Sequence, residues 1–274
     1  MLSANQMWVN AGSKVLVEAV SVEVKPGEVV AIVGANGAGK STTLKALSGE
    51  IPLSSGEVRL YDKRLDAWSA LDRAQRLAIL PQSSSLSFGL TVEDIVMLGR
   101  MPFRHEMTRA ESQVFVEQAM ERTGITHLAH RVYPSLSGGE RLRTHLARVI
   151  AQILGDGNTE GRILLLDEPT SSLDLHHQLR ILEIARTLAS EGVGVLTILH
   201  DLNLTMRFSD RVYIMKDGRV LCGGGTREVL TTDAIEAAFG LRTKRIEVSD
   251  LDHPTICTIE RLSGYQSETE SRNN

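Results

Sequence analysis

Residues 34–42 read Gly34-Ala35-Asn36-Gly37-Ala38-Gly39-Lys40-Ser41-Thr42, and this stretch decides the fold. It fits the pattern G-x-x-x-x-G-K-[ST]. Its glycines let successive backbone N–H groups curl round phosphate oxygens. Lys40 offers a point charge to the β- and γ-phosphates, and Ser41 offers a hydroxyl to Mg²⁺. Just upstream, residues 28–33, Glu28 followed by five apolar residues, are expected as a buried strand. Just downstream, residues 40–48 are expected as a helix that stops at Gly49, a C′ glycine. The helix start adds the positive end of its dipole to the loop. A plain glycine-rich turn meets the spacing too, but only a phosphate loop needs the strand before it and the helix after it.

Working outward, the same logic recurs near the middle of the chain. Ile163-Leu164-Leu165-Leu166 runs into Asp167-Glu168-Pro169, which puts two acids at the C-terminal end of a buried strand, the edge where α/β sheets bind ligands. Asp167 is placed to hold Mg²⁺, and Glu168 to polarise a water for attack on a γ-phosphate. A solvated strand end capped by proline is the bland alternative. Strand and helix then alternate: a helix from about 176 to 191, a strand over 194–199, a helix over 202–208, and a hairpin over 211–222 turning at Asp217-Gly218. Such alternation implies a parallel sheet with crossover helices. Residues 1–28 carry alternating stretches before the turn Pro26-Gly27 and read as antiparallel β. From 91 to 153 the apolar spacing is three and four with no convincing strand, so a helical insert is expected. Residues 151–162, with Gly155, Gly157 and Gly161, read as a surface loop. The expected architecture is an α/β P-loop (RecA-like) core with a mostly parallel sheet, an N-terminal antiparallel β subdomain and an inserted α-helical subdomain. Residues 1–89 and 156–263 make the core, 90–155 the helical subdomain, and 264–274 a disordered tail.

Composition bounds the function. The chain has 274 residues, 42% hydrophobic and 23% charged, with a net charge of −4. That excludes a disordered protein and gives no global basic field for nucleic acid. No run approaches the roughly 18–20 apolar residues of a membrane helix, and residues 1–8 lack the features of a signal peptide. Cys222 and Cys257 have no metal-ligand spacing and read as ordinary thiols of a reducing compartment.

Leu136-Ser137-Gly138-Gly139-Glu140 is a capping box, Ser137 with Glu140, at the start of a helix through Ala147 and Ile150. Two glycines inside the first turn are poor helix formers, and they make sense if backbone N–H groups must approach an anion. With this segment the chain resembles the ATP-binding cassette family, whose signature is LSGGQ. Gln82, the stretch Ser171-Ser172-Leu173-Asp174 and His200 stand in the same order and separation. The resemblance runs from Val15 to about Leu230. It implies that Leu136, Ser137, Gly138, Gly139 and Glu140 face the γ-phosphate held by the P-loop of a second copy, so that a homodimer sandwiches two Mg-ATP. It also implies that Gln82 reaches Mg²⁺ and the attacking water, that His200 positions the γ-phosphate, and that Asp174 acts across the dimer interface. Glu140 departs from the usual Gln and brings an extra charge. The aromatic that often stacks on adenine is absent at Asn10; Trp8, two residues earlier on the same face of a strand, either substitutes or simply packs.

Further stretches (80–88, 96–102, 173–178 and 199–204) resemble the ATPases of bacterial importers for iron chelates, cobalamin and haem. The extended loop over 155–162 is most similar to the haemin-import subgroup. His176 and His177, taken alone, suggest a haem ligand, but they sit at a helix start, and cargo passes through the membrane partner. The resemblance therefore implies two integral-membrane permease subunits, a periplasmic binding protein engaged indirectly, no nucleic acid, and a location on the cytoplasmic face of the inner membrane. The permease is expected to dock near residues 86–101, a segment that contains Leu86, Phe88, Leu90, Val96, Met97 and Met101; the bland alternative is that these residues only pack the insert onto the core. A cassette ATPase acting on DNA or ribosomes, or a P-loop kinase, are the competing classes. The first usually carries coiled coils, zinc modules or a second cassette; the second has no use for residues 137–140.

Overall fold

The computed structural model describes residues 1–82, 89–156, 158–171 and 173–262. In chain order the elements are β1 (Leu2–Ala11), β2 (Lys14–Val24), β3 (Val29–Gly34), α1 (Lys40–Ser48), β4 (Ser55–Leu60), β5 (Lys63–Arg64), α2 (Ala70–Ala74), β6 (Leu77–Leu80), α3 (Val92–Leu98), α4 (Arg109–Thr123), α5 (Gly138–Leu154), β7 (Ile163–Leu166), α6 (Leu175–Ser190), β8 (Gly194–Ile198), α7 (Leu202–Phe208), β9 (Arg211–Lys216), β10 (Arg219–Gly225), α8 (Thr226–Val229), α9 (Thr232–Phe239), β11 (Leu241–Ile246) and β12 (Thr255–Arg261). They divide into two compact units, one of residues 1, 25–28 and 65–195, the other of residues 2–24, 29–64 and 196 onward.

In the first unit, β6 and β7 pair in parallel, from Leu77 opposite Ile163 to Leu80 opposite Leu166. All four residues of β7 are buried, which is why the strand reads as an unbroken apolar run. Each such Leu or Ile contributes about 2 kcal/mol by leaving water. β8 begins here, the Gly194 N–H donating to Arg162 O at 2.8 Å. Helices α3, α4 and α5 pack on one another. Each opens with a complete capping box: Thr91 with Asp94, Thr108 with Glu111, and Ser137 with Glu140. Each box satisfies two backbone donors that a helix start leaves bare. Among the described residues of the expected insert, the one β interaction outside named strands is an antiparallel bridge between Thr91 and Val132.

One expectation for this unit is corrected. Residues 151–154 are not loop: α5 continues to Leu154, and Ala151, Ile153 and Leu154 are buried. The cause is Arg100. Its buried guanidinium donates to Ala151 O and Gly155 O, both at 2.6 Å, capping carbonyls that the helix end leaves unpaired. It also stands over the rings of Phe103 and Phe115, 4.5 and 4.6 Å from their centroids. Gly99 precedes it because a Cβ there would stand 2.1 Å from Arg148 O. Gly157 of the expected extended loop lies outside the described residues.

The second unit holds the N-terminal antiparallel sheet, in the order β2-β1-β4-β5. Register shifts interrupt β1, one of them between Val9 and Asn10. The same unit contains β3 parallel to β9, from Val30 opposite Arg211 to Gly34 opposite Met215, and β9 antiparallel to β10. The turn of that hairpin is Asp217-Gly218, with φ of 48° and 79°, the primed geometry that matches strand twist. The last residues of β8 run beside β3, Leu199 N donating to Ile32 O at 3.2 Å. A C-terminal hairpin pairs β11 with β12, beyond the elements that the sequence pattern predicts. It is fastened to α7 by the Asn203 amide, which accepts from Ile256 N at 2.7 Å and donates to Ile256 O at 3.2 Å. The P-loop α/β core with mostly parallel strand pairs, the antiparallel N-terminal sheet and the helical segment are all present. Residues 264–274, expected as a disordered tail, lie outside the described residues.

Candidate nucleotide site

In the second unit, residues 34–39 form the expected loop between β3 and α1. Three features explain why glycine stands where it does. A Cβ on Gly34 would lie 2.3 Å from Met215 O on β9. Gly39 caps α1 at φ 96°, in the left-handed region, where a Cβ would also meet Leu16 O at 3.0 Å. The β9–β10 turn then closes on the loop, Gly218 N donating to Ala38 O at 3.1 Å and Gly218 O accepting from Glu18 N at 2.8 Å. Gly39 has no side chain with which to cap α1, and the N-terminus of a helix suits an anion. Lys40 is buried, its ammonium donating to Gly34 O at 2.9 Å and Ala35 O at 3.0 Å. His200 follows β8, and the Leu199–Ile32 bond brings it to the sheet edge from which the loop springs.

In the first unit, Asp167 and Glu168 follow β7. Asp167 is buried, and its N–H donates to Leu80 O at 2.9 Å. Glu168 has φ 50°, a left-handed conformation that costs a non-glycine residue about 1–2 kcal/mol; such strain is characteristic of functional positions. Its carbonyl accepts from Ser171 N at 3.1 Å and Ser171 Oγ at 2.9 Å. Its carboxylate Oε2 accepts from Gln82 Nε2 at 2.7 Å. Gln82 follows β6 as Glu168 follows β7, so parallel pairing carries the two to one edge. The spacing of residues does not reveal that bond, because the two lie far apart in sequence.

Ser137 is the N-cap of α5, with Ser137 Oγ accepting from Glu140 N at 3.3 Å and Glu140 Oε2 accepting from Ser137 N at 2.8 Å. Gly138 has nothing within 4 Å of where a Cβ would be, while on Gly139 a Cβ would touch Leu173 at 3.4 Å. Leu136 is buried and anchors the segment. Behind it, Tyr133 Oη and His145 Nε2 lie 2.9 Å apart, both side chains buried. Burial lowers the His145 pKa to about 4, with Arg148 adding to the shift. Asp174 is the N-cap of α6, accepting from His177 N at 3.0 Å, and both its oxygens lie within 2.9 Å of His177 Nδ1. Those bonds hold its carboxyl below the ordinary range. His177 thus serves Asp174, a partnership that a cap at i and a histidine at i+3 could have signalled. Ser172 lies outside the described residues.

Over residues 7–10 burial alternates along β1, with Met7 and Val9 buried, Trp8 half-buried and Asn10 exposed, so Trp8 and Asn10 share a face of the strand. One expectation needs restating. Of the expected docking residues, Leu86 and Phe88 lie outside the described residues. Val96 is fully buried and packs the helices together, whereas Met101 is 51% exposed. Among the described residues no helix is long and apolar enough to cross a membrane.

Residues 17–171 match the family described as ABC transporter. The chain is 46% identical over 266 residues to the Hemin import ATP-binding protein HmuV of Gloeobacter violaceus, covering 97% of both chains. It is 44% identical over 256 residues to the protein of that name from Pseudomonas aeruginosa, covering 93% of this chain and 99% of the other. Among solved structures it resembles a chain described as a metal-chelate type ABC transporter in an inward-facing conformation, with TM-score 0.78, 26% identity and coverage of 94% and 97%. It also resembles an ATP-binding cassette in a dimeric post-hydrolysis state bound to ADP and Pi, with TM-score 0.71, 25% identity and coverage of 83% and 99%.

Proposed function

This chain belongs to the ABC transporter family, and on that premise we propose that it hydrolyses Mg-ATP to drive haemin import across the bacterial inner membrane. The observation that carries the cargo is the near full-length similarity to proteins named for hemin import. ATP hydrolysis coupled to transport follows from the family and from the P-loop, whose amides and Lys40 stabilise phosphate charge.

Each site residue has a role in this reading. The N–H groups of residues 34–42 and the Lys40 ammonium bind the triphosphate. Glu168 takes a proton from the attacking water, and Gln82, already bonded to its carboxylate, orients that water. His200 holds the γ-phosphate. Ser41 and Asp167 fit Mg²⁺, since hydroxyl and carboxylate oxygens are the donors a hard cation prefers and a buried carboxylate gains from a cation partner. Bound there, Mg²⁺ would neutralise charge on the phosphates. Leu136, Ser137, Gly138, Gly139 and Glu140 of a second copy meet the same triphosphate, with Asp174 at that interface, which makes the working unit a homodimer. Two permease subunits and, through them, a periplasmic binding protein complete the transporter, with this chain on the cytoplasmic face.

The test of cargo is reconstitution with its permease partner, in proteoliposomes fed haemin, a ferric siderophore or cobalamin. ATP-dependent uptake of haemin in preference to the other two is expected. Preferential uptake of either competitor would overturn the cargo and leave the ATPase reading standing.

A further inference from the structure

Glu140 places a negative charge in the first turn of α5. Under the reading above, that turn meets a triphosphate, so a carboxylate there opposes the binding the turn exists to provide. Even with solvent screening, a unit charge this close to a multiply charged anion weakens binding severalfold.

The structure shows the charge turned inward. Glu140 Oε2 accepts from Ser137 N at 2.8 Å, and Oε1 accepts from Arg131 Nη1 at 3.4 Å. The Glu140 side chain keeps only 21% of its exposure, against 50% for Arg131. The root of Arg131 is pinned: its carbonyl accepts from Val92 N at 3.0 Å, its N–H donates to Leu128 O at 2.8 Å, and the next residue, Val132, bridges to Thr91. The start of α3 therefore aims the guanidinium at Glu140. The Glu140 carboxyl titrates below its ordinary value, chiefly through the Ser137 bonds, with Arg131 and then Arg143 adding to the effect.

We propose that Arg131 is a positioning residue for nucleotide recognition, holding and neutralising Glu140 so that Ser137 and the N–H groups of Gly138 and Gly139 face the triphosphate without an opposing charge. The proposal rests on the phosphate-facing role given to residues 136–140 above. It accounts for an acid at a position where the family usually has Gln. It also separates two parts of one charge pair: Glu140 serves the helix cap, and Arg131 makes that cap compatible with an anion.

The test is a double-substitution cycle on the full chain: wild type, Arg131→Ala, Glu140→Gln and both together, each assayed for KM and kcat of ATP hydrolysis and for thermal unfolding. Arg131→Ala should raise KM about fivefold when Glu140 is present, the upper end of what an exposed ion pair supplies, and less than about twofold in the Glu140→Gln background. The fivefold effect should shrink as salt is added. Arg131→Lys, which keeps the charge, should stay within about twofold of wild type and serves if the alanine variant folds poorly. Equal KM changes in both backgrounds, no change beside Glu140, or coupling seen in unfolding alone would overturn the proposal. Gly138→Asp tests the underlying reading separately. Nothing within 4 Å meets a Cβ there, and an acid suits a helix start, so only an approaching anion should object. If hydrolysis survives Gly138→Asp, the phosphate-facing reading fails; if it is lost while the cycle shows no coupling, only the role of Arg131 falls.

Discussion

Gly34→Ala probes the phosphate loop through its packing. The added methyl carbon would stand 2.3 Å from Met215 O, a backbone atom on β9, and 3.2 Å from the Ala38 side chain. Neither neighbour is the far end of a flexible side chain. Restoring ordinary contact requires the loop and β9 to part by about 1 Å, and such overpacking costs about 1–3 kcal/mol. For a chain of this size, at about 2–4 °C per kcal/mol, that lowers the melting temperature by about 2–12 °C. The second consequence is local. Gly34 O is one of the carbonyls that hold the Lys40 ammonium, at 2.9 Å. A shift of 1 Å there misplaces the charge meant for phosphate, an error of the size that costs up to about a hundredfold in rate. Thermal unfolding with and without ATP, together with steady-state hydrolysis, reads both effects. KM for ATP should rise at least about tenfold, and ATP should protect the variant less than wild type. Gly138→Ala, made where a Cβ meets open space, is the control and should shift the melting temperature by less than about 2 °C. Wild-type melting and wild-type KM for Gly34→Ala would refute the reasoning.

Three further outcomes are expected. Lys40→Ala should weaken ATP binding by at least about tenfold, because a charge-assisted contact to phosphate is lost; equilibrium binding of a fluorescent ATP analogue measures it. His145 titrates near 4 in the folded chain against 6.5 unfolded, so the unfolded state binds the extra proton between those values. Stability should be fully present above pH 6.5 and fall by up to about 3 kcal/mol as pH drops toward 4, and His145→Gln should flatten denaturant-melt stability over pH 4.5–6.5. Gly99→Ala should destabilise the first unit by about 2 kcal/mol or more, since its Cβ would meet Arg148 O at 2.1 Å. Hydrogen exchange over α3 and α5 should then rise while that of β1 and β4 stays unchanged.

The parts of this molecule that the sequence makes legible are those governed by local rules. Residues 163–166 are apolar at every position because both faces of the strand are covered, and the glycines of residues 34–39 follow from backbone geometry that no other residue tolerates. Ser137 and Glu140 announce a helix start because the capping box is a four-residue motif. What stayed hidden depends on long-range approach. Residues 151–154 read as loop beside Gly155, yet they are helical: Arg100, some fifty positions earlier, bonds Ala151 O and Gly155 O, and Ala151, Ile153 and Leu154 are buried. The left-handed Glu168 and its bond to Gln82 arise from parallel pairing of β6 with β7. The C-terminal hairpin is hard to read because β11, Leu-Arg-Thr-Lys-Arg-Ile, interleaves charges with few apolar residues, and its hold on the protein is long-range: the Asn203 amide on Ile256, Arg245 on Arg227 O and the burial of Ile256.

The central claim is that Glu168 withdraws a proton during ATP hydrolysis that powers transport. Glu168→Gln keeps the shape of the side chain and removes the base. In the assembled transporter it should bind ATP with wild-type affinity, hydrolyse it at least about a hundredfold more slowly, and abolish ATP-dependent haemin uptake. Turnover and uptake within about twofold of wild type would contradict the account.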